Sequence, residues 1–254
     1  MFVHKYRSHG FQFPPNLYQI ALAFNIMITS ILSPLTFYFR QNLGSIITYT
    51  LAFFTSLIIL IIYWFKASVS DPTDPVVLAN REAFKFNSAF DSARYDSMCT
   101  ICNTSVGNLS KHCGACNRCV ERFDHHCIWL NNCVGRTNYH LFSKLIITLF
   151  VHEIIILVVS IKRIFDYFEG ELEGIRGISS MAVQIYLAAQ SFIISVFLLN
   201  LIFLHIWLYK NKMTTYELIK KRSKRKKIAT IGPTENVNSK VSVSNPHSPK
   251  NDSN

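Results

Sequence analysis

The sequence predicts an all-α membrane protein with four transmembrane helices and a small zinc-binding, cysteine-rich cytosolic domain between helices 2 and 3. Three observations carry that expectation. Four apolar runs each approach the length of a bilayer-crossing helix, which is about 20 residues. All seven cysteines crowd into a single polar loop. Lysine and arginine gather on one side of the bundle those runs would make. Composition agrees: half the 254 residues are hydrophobic and 16% are charged, well short of the quarter or so in soluble domains.

The first run, Leu17 to Phe39, follows a Phe13-Pro14-Pro15 breaker and lacks a small-residue cleavage site, so it reads as a span rather than a signal peptide. A short turn, Arg40 to Gly44, leads to the second run, Ser45 to Phe65. Asp71-Pro72-Thr73-Asp74-Pro75 is a turn-rich exit from it. The third run is Leu145 to Ile161, with a start near Phe142 also open, and the fourth is about Met181 to Tyr209. The expected plan is an N-terminus of residues 1–16, helices 1 and 2 in 17–65, a loop of 66–140, helices 3 and 4 in 141–209, and a basic tail of 210–254 that is disordered at its end.

Orientation follows from Lys and Arg. The N-terminus holds two, the loop from Lys66 to His140 eight and the tail eleven. The opposite side has Arg40, Lys162, Arg163 and Arg176. The positive-inside rule therefore puts both termini and the cysteine loop in the cytosol. Seven of the tail's cations lie between Lys220 and Lys227, just past an apolar stretch. That pattern suits anionic lipid headgroups, although a topology signal or a solvated tail explains it equally well. Within the third run, Glu153 would cost about 3 kcal/mol if it met lipid while charged, so it should face the bundle interior.

Between Cys99 and Cys133 the pairs Cys99/Cys102 and Cys113/Cys116 are followed by Cys119, Cys127 and Cys133, with His112, His125 and His126 interleaved. Cysteines two residues apart form the knuckles that grip zinc in a tetrahedron of four N or S ligands. An odd thiol count in a reducing compartment argues against disulfides. Seven Cys and three His make ten candidate ligands, whereas two closed tetrahedral sites use eight. If one Cys and one His remain, they are a thiol beside a base, as in an activated nucleophile. Asp124 could orient one of the histidines. A purely structural double zinc finger with a spare thiol stays open at this point.

Residues Cys99 to Phe142 resemble the cysteine-rich domain of the DHHC family of protein S-acyltransferases (palmitoyltransferases). The family's pattern C-x2-C-x9-H-C-x2-C-x2-C-x4-D-H-H-C-x5-C-x4-N-x3-F is filled throughout, ending on Asn138 and Phe142. The domain spans about 97–142, and Thr214-Thr215-Tyr216-Glu217 matches the family's T-T-x-E motif. Asp71-Pro72-Thr73 departs from the family's D-P-G, which bears on a tight turn rather than on chemistry.

The resemblance implies two structural zinc ions, one on Cys99, Cys102, His112 and Cys119, the other on Cys113, Cys116, His126 and Cys133. It implies Cys127 as the nucleophile, His125 as its base and Asp124 as the orienting carboxylate. Palmitoyl-coenzyme A or another acyl-coenzyme A is the implied co-substrate, and proteins with membrane-proximal cysteines are the acceptors. Trp129 is expected at the start of the acyl chain, and Asn138, Thr214, Thr215 and Glu217 in support, with a capping box as the plainer role for the threonines and glutamate. Arg118, Arg122 and Arg136 are candidate contacts for coenzyme A phosphates or else solvated charges. The expected setting is an endomembrane, endoplasmic reticulum or Golgi, ahead of the plasma membrane. A nucleic-acid-binding zinc protein leaves four spans unexplained. A catalytically idle zinc-binding membrane scaffold is the alternative, and the intact Asp124, His125, His126 and Cys127 argue against it.

Overall fold

A computed structural model of the chain describes residues 6–37, 42–92, 95, 97–169 and 174–231. Among the described residues, six helices and six short strands follow in chain order: α1 (Leu17–Phe37), α2 (Leu43–Val69), α3 (Pro75–Lys85), β1 (Ser97–Cys99), β2 (Thr104–Val106), β3 (Lys111–Cys113), β4 (Arg118–Val120), β5 (His125–Cys127), β6 (Asn132–Val134), α4 (Tyr139–Phe168), α5 (Gly174–Lys210) and α6 (Thr215–Ile231). Helices α1, α2, α4 and α5 are long and apolar enough to cross a membrane. Their outward residues include Phe24, Ile58, Ile147, Phe192, Phe197 and Phe203, each more than half exposed. A soluble protein does not carry an apolar surface that extensive; lipid covers it, and the chain is a multi-pass membrane protein.

Helices α4 (Tyr139–Phe168) and α5 (Gly174–Lys210) run past the apolar stretches that announce them. Lys162 and Arg163, expected in a loop, belong to α4. Asp166 accepts from Lys162 Nζ at 2.9 Å and from Arg163 at 3.1 Å, and Arg163 is buried. The expected end of the first span, Tyr38 and Phe39, and the start of the turn after it, Arg40 and Gln41, lie outside the described residues. Glu153 faces the interior at 3% exposure, and beside it His152 Nδ1 meets Ser56 Oγ on α2 at 2.8 Å.

The cysteine loop forms three two-stranded antiparallel hairpins, β1–β2, β3–β4 and β5–β6. Each turn closes on an asparagine in the left-handed region, Asn103, Asn117 and Asn131, with φ of 48°, 51° and 50°. Asparagine tolerates that conformation because its short side chain bonds locally. Strands of three residues cannot stand alone, so the module leans on its surroundings. Cys127, Leu130 and Val134 share one apolar core with Leu60, Ala67, Phe142, Leu145 and Leu198 of the bundle.

Two polar seams complete the docking. At the end of α2, the Asn132 amide donates to the carbonyls of Ala67, Ser68 and Ser70 at 3.1, 3.1 and 2.8 Å. Residues 6–16 form a strap over the module. Arg7 N–H donates to Cys116 O at 2.9 Å, Gly10 N–H to Ser68 O at 2.7 Å and the Asn131 amide to Gly10 O at 3.0 Å. Gly10 passes so close to the Leu130 carbonyl that any side chain there would collide with it.

These contacts bring the strap, the hairpins and the start of α6 to one end of the bundle. The described residues fall into two compact units, divided between Glu217 and Leu218. The second unit contains the rest of α6, exposed from Ile219 to Ala229.

Candidate metal centres and active site

The hairpins repeat one pattern at a spacing of fourteen residues: Cys99-x-x-Cys102-Asn103, Cys113-x-x-Cys116-Asn117 and Cys127-x-x-Leu130-Asn131. In the second and third hairpins a His precedes the first Cys (His112, His126), and a Cys lies in the return strand (Cys119, Cys133). The repeat is staggered: the knuckle of one hairpin meets the His and Cys of the next. Cys99, Cys102, His112 and Cys119 form one group of four, and Cys113, Cys116, His126 and Cys133 another, with ligand atoms within 4.8 Å of one another in each.

The spacings test whether zinc fits. In the first group His112 Nδ1 lies 3.8, 3.3 and 3.9 Å from the sulfurs of Cys99, Cys102 and Cys119. In the second, His126 Nδ1 lies 3.9, 3.3 and 3.9 Å from those of Cys113, Cys116 and Cys133. A tetrahedron with Zn–S and Zn–N bonds of ordinary length has edges of about 3.6–3.8 Å. Both groups have the donor set and the size for zinc.

Among the described residues the third knuckle has no fourth hairpin to meet, and Leu130 stands where its second cysteine would be. Cys127 therefore lies outside both groups. The thiol of Cys127 neighbours His125, whose Nδ1 is 2.7 Å from Asp124 Oδ2. Asp124 is almost fully buried. Burial alone would raise its carboxyl, but hydrogen bonds from His125 and the Thr215 amide hold it below the usual carboxylate range. Burial likewise opposes an imidazolium at His125, yet the hydrogen bond to Asp124 and the neighbouring Cys127 thiol raise that ring to about 9.

The start of α6 holds Asp124 from the far side. Thr215 N–H donates to Asp124 Oδ1 at 2.9 Å, and Tyr216 N–H to the Asp124 carbonyl at 3.1 Å. Thr214 and Glu217 form a reciprocal capping box: Thr214 N–H donates to Glu217 Oε2 at 2.9 Å, and Glu217 N–H to Thr214 Oγ1 at 3.2 Å. The motif thus caps its own helix and buttresses Asp124 at once. Asn138 precedes α4, but its side chain bonds away from the helix: its amide donates to Ser70 Oγ and Cys133 O, both at 2.9 Å, and its oxygen accepts from Gly135 N–H at 3.0 Å. Trp129, half exposed, meets the Tyr18 ring edge-on at 5.5 Å.

Arg118 is neither a phosphate contact nor a solvated charge. It is fully buried and donates to Asp71 Oδ1 and Ser8 O, each at 2.8 Å, and to the Asn132 side chain. Arg136 pairs with Glu121 at 2.7 Å on the surface. The turn around Thr73 forms without glycine: its N–H donates to Asp71 Oδ1 at 3.0 Å, and it bridges to Val120. Asp74, which sequence reasoning missed, caps α3 through Val76 N–H at 2.7 Å, and its other oxygen accepts from Gly107 N–H at 2.8 Å and from Ser110. The signal was present, since Asp before Pro is a helix start with Pro at the first position.

A cavity of about 580 Å³ opens beside Asp124, with Arg122, Arg136, Lys210 and Lys212 on its walls. Set against protein-family models, residues 92–222 match the one described as DHHC palmitoyltransferase, just over half the chain. Comparison with curated proteins finds no match.

Proposed function

The chain belongs to the DHHC palmitoyltransferase family, and from that premise we propose that it moves a long-chain acyl group from acyl-coenzyme A, by way of a thioester on Cys127, to cysteines of membrane-associated proteins. One observation carries the reading: of seven cysteines, Cys127 is the one outside both four-ligand groups, and it lies beside a histidine that a buried carboxylate holds.

His125 takes the proton of the Cys127 thiol, and Asp124 stabilises the imidazolium that results. The thiolate attacks the thioester carbonyl, the bond from carbonyl carbon to coenzyme A sulfur breaks, and the leaving thiolate recovers the proton from His125. A substrate thiol then repeats the exchange in the other direction and leaves Cys127 as the free thiol. Thioester replaces thioester at each step, so no ATP is required. The two groups of four would hold structural zinc, which supplies cross-links for a module too small to fold on its own core.

Cys127 packs on the apolar side chains of α2, α4 and α5, which supports an acyl chain lying between those helices, each buried methylene contributing about 0.8 kcal/mol. Trp129 would meet the chain near its carbonyl end. The cation-lined cavity beside Asp124 suits the phosphates of coenzyme A, with Arg122 and Arg136 on its walls. The basic face of α6 between Lys220 and Lys227 suits anionic lipid.

Purified protein incubated with labelled palmitoyl-coenzyme A should acquire a label that hydroxylamine removes. Folded protein that takes up none would overturn the reading.

We assign the active site to the cytosolic face of the membrane, an orientation that the Lys and Arg distribution supports. Asn103-Thr104-Ser105, Asn108-Leu109-Ser110 and Asn251-Asp252-Ser253 all fit the acceptor pattern for N-glycosylation, yet all three should stay bare because they face the cytosol. An acceptor engineered into a lengthened loop between α4 and α5 should be glycosylated. A glycosidase-sensitive mass shift on the unaltered chain would put the cysteine module in the lumen, where acyl-coenzyme A is scarce, and the proposal would fail with its topology.

A further inference from the structure

His205 lies on α5 and is 6% exposed, within a helix long and apolar enough to cross a membrane. Its Nδ1 meets the hydroxyl of Tyr139, the first residue of α4, at 2.9 Å. Its ring packs edge-on against Phe142 at 5.1 Å and 67°, and Phe142 packs edge-on against His125 at 5.1 Å and 73°. The two histidine rings are 6.2 Å apart. Two rings from two helices, Phe142 and His205, therefore pack against His125, and Tyr139 packs against both of them.

Building on the function proposed above, we propose that His205 is a positioning residue for the base: tied to Tyr139, it holds Phe142 and itself as a wall that keeps the His125 ring in the plane of Asp124 and Cys127.

Three features favour this over an ordinary interhelical hydrogen bond. The bond joins α4 and α5 at the level of the reacting groups, where a small displacement is most costly. His125 has one fixed polar anchor, the Asp124 carboxylate at 2.7 Å; a single bond to Nδ1 leaves the ring free to swing about that bond, and a packed face stops the swing. Tyr139 also lines both the cation-walled cavity beside Asp124 and an apolar groove of about 290 Å³ that includes Ser143, Ile146, Ile202 and His205. Tyr139 thus borders both cavities, and His205, bonded to it, lines the apolar one.

A positioning role makes a definite kinetic demand. Misplacing a catalytic group by about 1 Å costs on the order of 100-fold in rate without weakening substrate binding. His205→Ala should therefore slow single-turnover acylation of Cys127 by palmitoyl-coenzyme A about 10- to 100-fold, with KM for palmitoyl-coenzyme A unchanged and two zinc ions retained. His205→Asn keeps an acceptor where Nδ1 stands and should recover part of the rate. Tyr139→Phe should slow acylation in the same direction by less, and Tyr139→Phe combined with His205→Ala should be no slower than His205→Ala alone, because both act through one bond.

His205→Ala that acylates at the wild-type rate, or that loses rate only through a raised KM, overturns the inference. If His205→Ala fails to retain zinc, Tyr139→Phe decides by deleting a single oxygen, and a wild-type rate there overturns it too. Wild-type protein that takes no label sinks the parent function instead, so the two failures are told apart.

Discussion

Cys127→Ser should carry no acyl label and still hold two zinc ions, whereas Cys113→Ala or His126→Ala should lose zinc, dropping from two ions to one. The first half follows from chemistry at one atom. Serine matches cysteine in shape, so the buried site at the end of β5 keeps its packing, but a hydroxyl beside a single imidazole is a far weaker nucleophile than a thiol, whose thiolate is the reactive form. The second half follows from the staggered repeat. Cys113 belongs to the knuckle of the second hairpin and His126 to the strand of the third, and their shared metal is what links the two. In small modules the binding free energy of structural zinc, about 10–16 kcal/mol, is also folding free energy, so losing a ligand there should unfold β5–β6 and abolish acylation indirectly. Elemental analysis beside labelling separates the cases. Zinc lost from Cys127→Ser, or label surviving in it, would overturn the partition of ligands.

That partition is only half legible in the sequence. Counting ten donors against eight places leaves two over, and the resemblance names them as Cys127 and His125. The fourteen-residue repeat gives the physical reason Cys127 is the one released, because Leu130 replaces the second cysteine of its knuckle. That signal stands in the sequence but is hidden by its degeneracy: Met98 and Ser105 occupy the His and Cys positions of the first hairpin. The four spans are legible because twenty or so apolar residues in a row have few other fates. Their ends are not, since Lys162 and Arg163 look like loop until Asp166, one turn on, is seen to pair with both.

Long-range polar partners are the least accessible. Arg118 reads as one more cation in a basic loop, and its burial depends on Asp71, Ser8 and Asn132, which approach it from three separated segments. The strap of residues 6–16 reads as a plain N-terminus for the same reason. Nothing local distinguishes Gly10 or Asn131 until the backbone of one meets the amide of the other.

Asp124→Asn should reduce the rate of acylation by about 10³- to 10⁴-fold, the loss expected when the orienting carboxylate of a nucleophile–base pair is neutralised. The substitution is close to isosteric, so the loss is electrostatic and tautomeric. Asp124 accepts two hydrogen bonds from opposite sides, from His125 Nδ1 at 2.7 Å and from the Thr215 amide at 2.9 Å. An asparagine has one acceptor atom and one donor group. Whichever way it turns, one of the two N–H groups faces another donor, at about 1–3 kcal/mol for a buried group left unsatisfied. If the amide turns its NH2 toward His125, Nδ1 must become the acceptor and the proton moves to the nitrogen that should be free to take one from Cys127. If it turns the other way, the imidazolium loses the charge that stabilised it. Zinc content should be unchanged, because Asp124 belongs to neither group of four. Thr215→Ala supplies the contrast: the bond to Asp124 comes from the Thr215 backbone amide, and its Oγ1 is buried with no hydrogen-bond partner among the described residues. That variant should stay within a few-fold of wild type. Equal losses in Asp124→Asn and Thr215→Ala would mean that the threonine side chain, and not the carboxylate it flanks, governs the base.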